Sequence, residues 1–134
     1  MKSKTILIVE DEEDILELLE YTLQKDGYET IGFLSIDKHL TDVLDEEDID
    51  LILMDRNLPG YEGSTFINEI RAKGYNNPVI YVTAKDKDED ILEGFEAHAD
   101  DYINKPFNLK ELTARVKAVI RRTSKDVDLI QIRD

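Results

Sequence analysis

The sequence predicts an α/β domain: a doubly wound, five-stranded parallel sheet covered by five helices on its two faces. Three observations lead there. Short apolar runs alternate with segments of helical period along the chain. Two of those runs, "LILM" (Leu51–Met54) and "PVIYVTA" (Pro78–Ala84), carry no charge, as strands buried on both faces require. The length, 134 residues, suits one domain with a single core.

The elements follow in order. "TILIV" (Thr5–Val9) is the first strand. "DILELLEYTLQKDG" places Ile15, Leu18, Leu19, Thr22 and Leu23 on one helical face, and Gly27 suits the position past the helix end. "YETIGF" (Tyr28–Phe33) alternates as a more exposed second strand. "SIDKHLTDVLDEED" spaces Ile36, Leu40, Val43 and Leu44 for a helix, and "LILM" is the third strand. "STFINEIRAKG" turns Phe66, Ile67 and Ile70 inward and stops at Gly74. "PVIYVTA" is the fourth strand, "DEDILEGFEAHA" a fourth helix with Ile91, Leu92 and Phe95 inside, and "DYIN" a short fifth strand. In "NLKELTARVKAVIRR", Asn108 and Glu111 form an N-cap pair, and Leu109, Leu112, Val116, Val119 and Ile120 share a face. From Thr123 the chain turns polar, then alternates Val127 and Leu129 and, one step out of phase, Ile130 and Ile132. The expected organisation is a domain over 1–122, followed by a linker and the opening strand of a further unit over 123–134.

Composition narrows the function. With 31 acidic against 17 basic residues and a net charge of −14, this segment is a poor direct ligand for nucleic acid. No cysteine is present, which removes disulfides, thiol chemistry and sulfur-ligated metals. No apolar run approaches the ~18 residues of a membrane span, and the apolar stretch after the basic start is too short for a signal peptide. The expected compartment is the cytoplasm.

Open α/β sheets bind ligands beyond the carboxyl ends of their strands, where the strand order reverses. The first strand ends in "VEDEED" and the third in "LMD". In the order 2-1-3-4-5 these ends are neighbours, and Glu10, Asp11 and Asp55 converge. Three close carboxylates raise one another's pKa unless a cation sits among them. Oxygen ligands without His or Cys suit a hard ion, and an open, hydrated site suits Mg²⁺ better than Ca²⁺. Each residue alone has an ordinary reading. Glu13 and Asp14 complement a helix dipole, Asp55 could be a turn residue, Thr83 β-branched filler, and Lys105 a surface charge. Their joint placement at strand ends favours chemistry instead. Asp55 is a nucleophilic carboxylate, while Lys105 and Thr83 offer a charge and a hydroxyl to phosphoryl oxygens, which makes an aspartyl phosphate the product.

Four motifs carry a family resemblance: the acidic pair in "VED", "LILMDRNLPGYEG" with Asp55, Pro59 and Gly63 in phase, "VTA", and "DDYINKPF". Over residues 4 to about 122 the chain resembles the receiver domain of two-component response regulators. The resemblance implies a flavodoxin-like fold and phosphorylation of Asp55 by a sensor histidine kinase. It implies Mg²⁺ held at Asp55, by Asp11 directly, by Glu10 through water, and by the backbone carbonyl of Asn57. Thr83 and Tyr102 look like the switch pair, and Lys105–Pro106 looks like the family's cis peptide. The C-terminal half is most similar to the winged-helix, OmpR-like class. That implies a homodimer through the fourth helix, fifth strand and fifth helix, with Asp100, Asp101, Glu111 and Arg115 on its face. The tail from Thr123 would then lead into a DNA-binding domain that controls transcription. Three positions depart from the pattern: Glu10 replaces the commoner aspartate, Ile91 a basic residue, and His98 a glycine. Asn57 and Lys85, flanking the site, are expected to tune the phosphoryl lifetime.

Other classes fare worse. A phosphatase working through an aspartyl phosphate needs an acid two residues after the nucleophile, where this chain has Asn57. A flavin phosphate would be repelled by "EDEED". A receiver-like module signalling through protein contacts alone is the alternative that stands. The chain is not expected to be an enzyme beyond catalysing its own phosphorylation and dephosphorylation.

Overall fold

The computed structural model describes residues 3–58, 60, 62–84 and 99–124. Five strands, β1 (Thr5–Val9), β2 (Glu29–Phe33), β3 (Leu51–Asp55), β4 (Val79–Thr83) and β5 (Asp101–Asn104), form one parallel sheet in the order β2-β1-β3-β4-β5. The described helices are α1 (Glu13–Lys25), α2 (Lys38–Glu46), α3 (Gly63–Ala72) and α4 (Leu109–Thr123). Here α4 is the fifth helix expected from sequence. The expected fourth falls almost wholly in 85–98, outside the described residues, as do Lys85, Ile91, Leu92, Phe95 and His98. Residues 125–134, with the alternating tail, also lie outside them.

Strand alternation builds two cores. One face of the sheet presents Ile6, Ile8, Leu53, Ile80 and Val82 to Leu16, Leu19 and Leu23 of α1 and to Leu112, Val116 and Val119 of α4. The other presents Leu7, Val9, Ile52, Met54 and Tyr81 to Leu40 and Leu44 of α2 and to Phe66, Ile67 and Ile70 of α3. β3 and β4 are buried along their whole length, which is why their sequences read as unbroken apolar runs. Each such side chain contributes about 1.5–3 kcal/mol relative to exposure. β2, at the edge, stays partly exposed.

Helix ends follow their local chemistry. The Asn108 side chain accepts from the N–H groups of Lys110 and Glu111 at 2.8 and 3.2 Å, and Asp37 caps α2 through the N–H of His39. Gly27, with φ of 95°, takes the left-handed position after α1.

The helical faces need correction at two points. Leu18 was expected inside but is 42% exposed, and Leu16 takes its place; Thr22 sits only at the margin. Leu109 was expected inside and is 37% exposed at the first position of α4. Leu18 and Leu109 line a groove between α1 and α4 together with Tyr21. No helix among the described residues is long and apolar enough to cross a membrane.

Candidate functional site

The register sets the site. Val9 pairs with Met54, and Asp55 with Val82, so the residue after Val9 stands beside Asp55. Ligating oxygens of Glu10, Asp11 and Asp55 lie within 4.8 Å of one another. Glu10 and Asp55 are buried, at 1% and 2% exposure, whereas Asp11 reaches the surface. Lys105 enters from beyond β5: its Nζ lies 3.0 Å from Glu10 Oε1 and 3.3 Å from Asp55 Oδ2. The N–H of Lys105 donates to the Thr83 carbonyl at 2.8 Å, and the Lys105–Pro106 peptide is cis, as the resemblance implied. Asn57 closes the other side. Its N–H donates to Asp55 Oδ1 at 2.9 Å, and its Nδ2 donates to Thr83 Oγ1 at 3.2 Å.

Burial pushes the Asp55 carboxyl up to about 7. The Asn57 N–H opposes that shift, Asp11 and Glu10 add to it, and Lys105 opposes it. Burial works against the Lys105 ammonium, but Glu10 and Asp55 outweigh it and hold the group above the ordinary lysine value. Three carboxylates against one ammonium leave two negative charges to balance when all are ionised. An all-oxygen donor set with that charge and one arm at the surface fits a hard divalent cation such as Mg²⁺. The longer arm of Glu10 does not take its carboxylate away from the site; it seats it against Lys105.

A family comparison bears on this geometry directly. Residues 6–117 match the response regulator receiver domain. The chain belongs to that family.

Solved receivers share the fold. The receiver domain of the Francisella response regulator 1452 is 27% identical, with a TM-score of 0.83, over 90% of this chain and 99% of that one. A CheY-like receiver domain protein from Methanospirillum hungatei JF-1 is 29% identical, with a TM-score of 0.84, over 93% and 99%. DrrB, an OmpR/PhoB homolog of Thermotoga maritima, is 35% identical, with a TM-score of 0.80; the match spans 91% of this chain and 54% of DrrB. The flavodoxin-like architecture and the phosphoacceptor class of the chain follow, and the acidic pocket is the kind through which receivers bind Mg²⁺.

The remaining predicted residues of this receiver fall in two places. Tyr102 is half-buried on β5 and faces Tyr81, with ring centroids 5.7 Å apart and planes tilted by 32°. The four charges assigned to a dimer face lie together but are engaged within the chain. Arg115 binds both carboxylate oxygens of Asp101, at 2.8 and 3.0 Å, and Glu111 at 3.3 Å. Asp100 accepts from the N–H of Val79 at 2.8 Å, and its carboxylate lies 3.8 Å from Arg122.

Sequence reasoning missed two participants. Arg56 was given no role, yet it is completely buried and its Nε donates to Glu62 at 3.1 Å. Gly63 was noted only as a motif position; a Cβ there would lie 2.7 Å from the Asp55 carbonyl oxygen. Strand alternation was the available signal for Arg56, since it turns the residue after Asp55 toward the α2/α3 core.

Proposed function

We propose that this receiver takes a phosphoryl group on Asp55 from a sensor histidine kinase, in a Mg²⁺-dependent reaction that switches its contacts. One observation carries the reading: Asp55 stands buried amid Glu10, Asp11, Lys105, Thr83 and Asn57 at the carboxyl edge of the sheet. A carboxylate oxygen of Asp55 attacks phosphorus, the bond from phosphorus to the donor nitrogen breaks, and that electron pair leaves with the donor. Mg²⁺, held by Asp11, Asp55, the Asn57 carbonyl and, through water, Glu10, would neutralise charge on the phosphoryl oxygens. Lys105 moves from pairing with Asp55 to pairing with a phosphoryl oxygen, and Thr83 donates its hydroxyl to another. An apolar groove of about 440 Å³ beside Lys105, lined by Ile15, Leu18, Pro106 and Phe107, gives the donor a surface to cover.

The switch reading follows from neighbours. Thr83 lies two residues along β4 from Tyr81, the ring partner of Tyr102 on β5, so displacement of Thr83 is expected to reach Tyr102 through that pair. We assign the output to dimer formation through the fourth expected helix, β5 and α4, with residues 1–122 as the receiver and 123–134 leading toward a DNA-binding domain that controls transcription. The likeness to DrrB supports that class. Receivers act in two-component signalling alongside kinases in the cytoplasm, which is the compartment assigned here. The domain turns over no substrate other than its own phosphoryl group.

The test is intact-mass measurement after incubation with acetyl phosphate and Mg²⁺. The parent gains the mass of one phosphoryl group, and Asp55→Asn gains none. Equal labelling removes Asp55 from the mechanism, and no labelling of either leaves the alternative, a module acting through protein contacts alone.

A further inference from the structure

Arg56 follows the acceptor directly and is 0% exposed. Burying a guanidinium is costly, and an apolar side chain of like volume would fill the same space at lower cost. Its partner explains the arrangement. Arg56 Nε donates to Glu62 Oε1 at 3.1 Å, and the Glu62 side chain is one-third exposed. Glu62 stands at the N-cap of α3 but makes no capping hydrogen bond. It turns back to Arg56 instead.

The backbone is tied at the same place. The N–H of Arg56 donates to the Val82 carbonyl at 3.0 Å, and its carbonyl accepts from the N–H of Gly63 at 3.2 Å. Gly63 approaches β3 closely enough that a Cβ would fall 2.7 Å from the Asp55 carbonyl oxygen and 2.9 Å from Met54 Cγ. The end of β3 and the first turn of α3 therefore form the neck of a loop, and the Arg56–Glu62 pair bridges that neck. Asn57 lies within the loop, holding Asp55 Oδ1 with its N–H and Thr83 with its side chain.

We propose that Arg56, through its ion pair with Glu62, is a positioning residue for phosphoryl transfer. The pair fixes the loop so that the Asn57 N–H stays on Asp55 and its side-chain amide on Thr83. Arg56 projects to the face of β3 opposite Asp55 and acts only through the backbone it anchors. An apolar residue would pack there without directing the loop, because dispersion contacts have no preferred orientation. This inference rests on Asp55 being the acceptor.

The experiment uses the full chain as parent, Arg56→Met, Glu62→Gln and the double variant, with acetyl phosphate as donor and Mg²⁺ varied. Labelling rates are read by intact mass, well below each thermal midpoint, and the midpoints are measured alongside. Each single variant is expected to lose about ten-fold in maximal rate, since small misplacements of reacting groups have effects of that order or larger. The Arg56→Met midpoint is expected to fall, because removing one partner of a buried pair leaves the Glu62 carboxylate without its cation, which is why rates are read well below that midpoint. The double variant is no slower than the slower single, as expected of residues acting as one unit. Parent rates in both singles, or losses that multiply in the double, overturn the proposal. Should Arg56→Met fail to fold, Glu62→Gln decides alone: a slower rate supports the proposal and a parent rate overturns it. An unlabelled parent overturns the acceptor reading and this one with it, whereas a labelled parent with unaffected variants overturns this one alone.

Discussion

The two edges of the sheet use the same residue type in opposite ways. At the amino edge, Asp50 and Asp100 each precede a strand and reach across to the first residue of its neighbour. Asp50 Oδ2 accepts from the N–H of Thr5 at 2.9 Å, while the N–H of Asp50 donates to the Thr5 carbonyl. Asp100 Oδ2 accepts from the N–H of Val79 at 2.8 Å, and the N–H of Asp100 donates to the Val79 carbonyl in return. Both carboxylates close a strand start whose donors would otherwise lack partners. At the carboxyl edge, Glu10, Asp11 and Asp55 meet one another, with one ammonium among them. The difference teaches that a carboxylate is structural where backbone donors need it and reactive where like charges are forced together.

The comparison breaks most visibly at Lys105. Lys105→Met should slow labelling of Asp55 by about 100-fold, the scale found when one preorganised charge-stabilising donor is removed. Asp50→Ala should label at the parent rate in the same time course. A slow Asp50→Ala variant would mean that the two edges are not separable.

The second test is pH. The folded Asp55 carboxyl sits near 7, above its unfolded value of about 3.9. A raised folded pKa stabilises below the unfolded value, and that stabilisation is lost as pH rises through the folded value. Asp55→Asn should therefore match the parent below about pH 4 and exceed it by a few kcal/mol at pH 8, with the gap opening between those values. Urea unfolding across pH reads it directly, and a gap that is flat with pH contradicts the electrostatic account. Added Mg²⁺ should narrow the gap by stabilising the parent, since a ligand that binds only the folded state adds to stability.

Smaller effects belong to the amino edge. Asp50→Ala and Asp100→Ala should each cost about 1–2 kcal/mol in urea unfolding, the scale for stranding a backbone donor. Arg115→Ala should cost less, about 0.5 kcal/mol, because that side chain is 42% exposed and its pairs with Asp101 and Glu111 are screened.

Much of this contrast was legible in one dimension. β1 and β5 fall on "TILIV" and "DYIN", the stretches read as strands, and the convergence of Glu10, Asp11 and Asp55 follows once the strand order is 2-1-3-4-5. Asn108 was readable as a cap because its chemistry is local. The rotation of α1 was not. Ile15, Leu16, Leu18 and Leu19 spread over nearly half the helix circumference, so periodicity alone does not choose which leucine faces out. Burial of Arg56 was hidden for the opposite reason: its partner Glu62 is brought near by a loop, and residue type alone assigns a solvated arginine. The charges at Asp101, Glu111 and Arg115 were recognised, but their pairing within one chain depends on how α4 packs beside β5.

The most direct test of the central claim locates the phosphoryl group. Borohydride reduces an acyl phosphate to an alcohol, which converts a phosphorylated aspartate into homoserine, and peptide mass spectrometry then reads the position. After treatment with acetyl phosphate and Mg²⁺, homoserine is expected at position 55 alone. Homoserine at 50 or 100, or a label that borohydride leaves untouched, would contradict the assignment of the two edges.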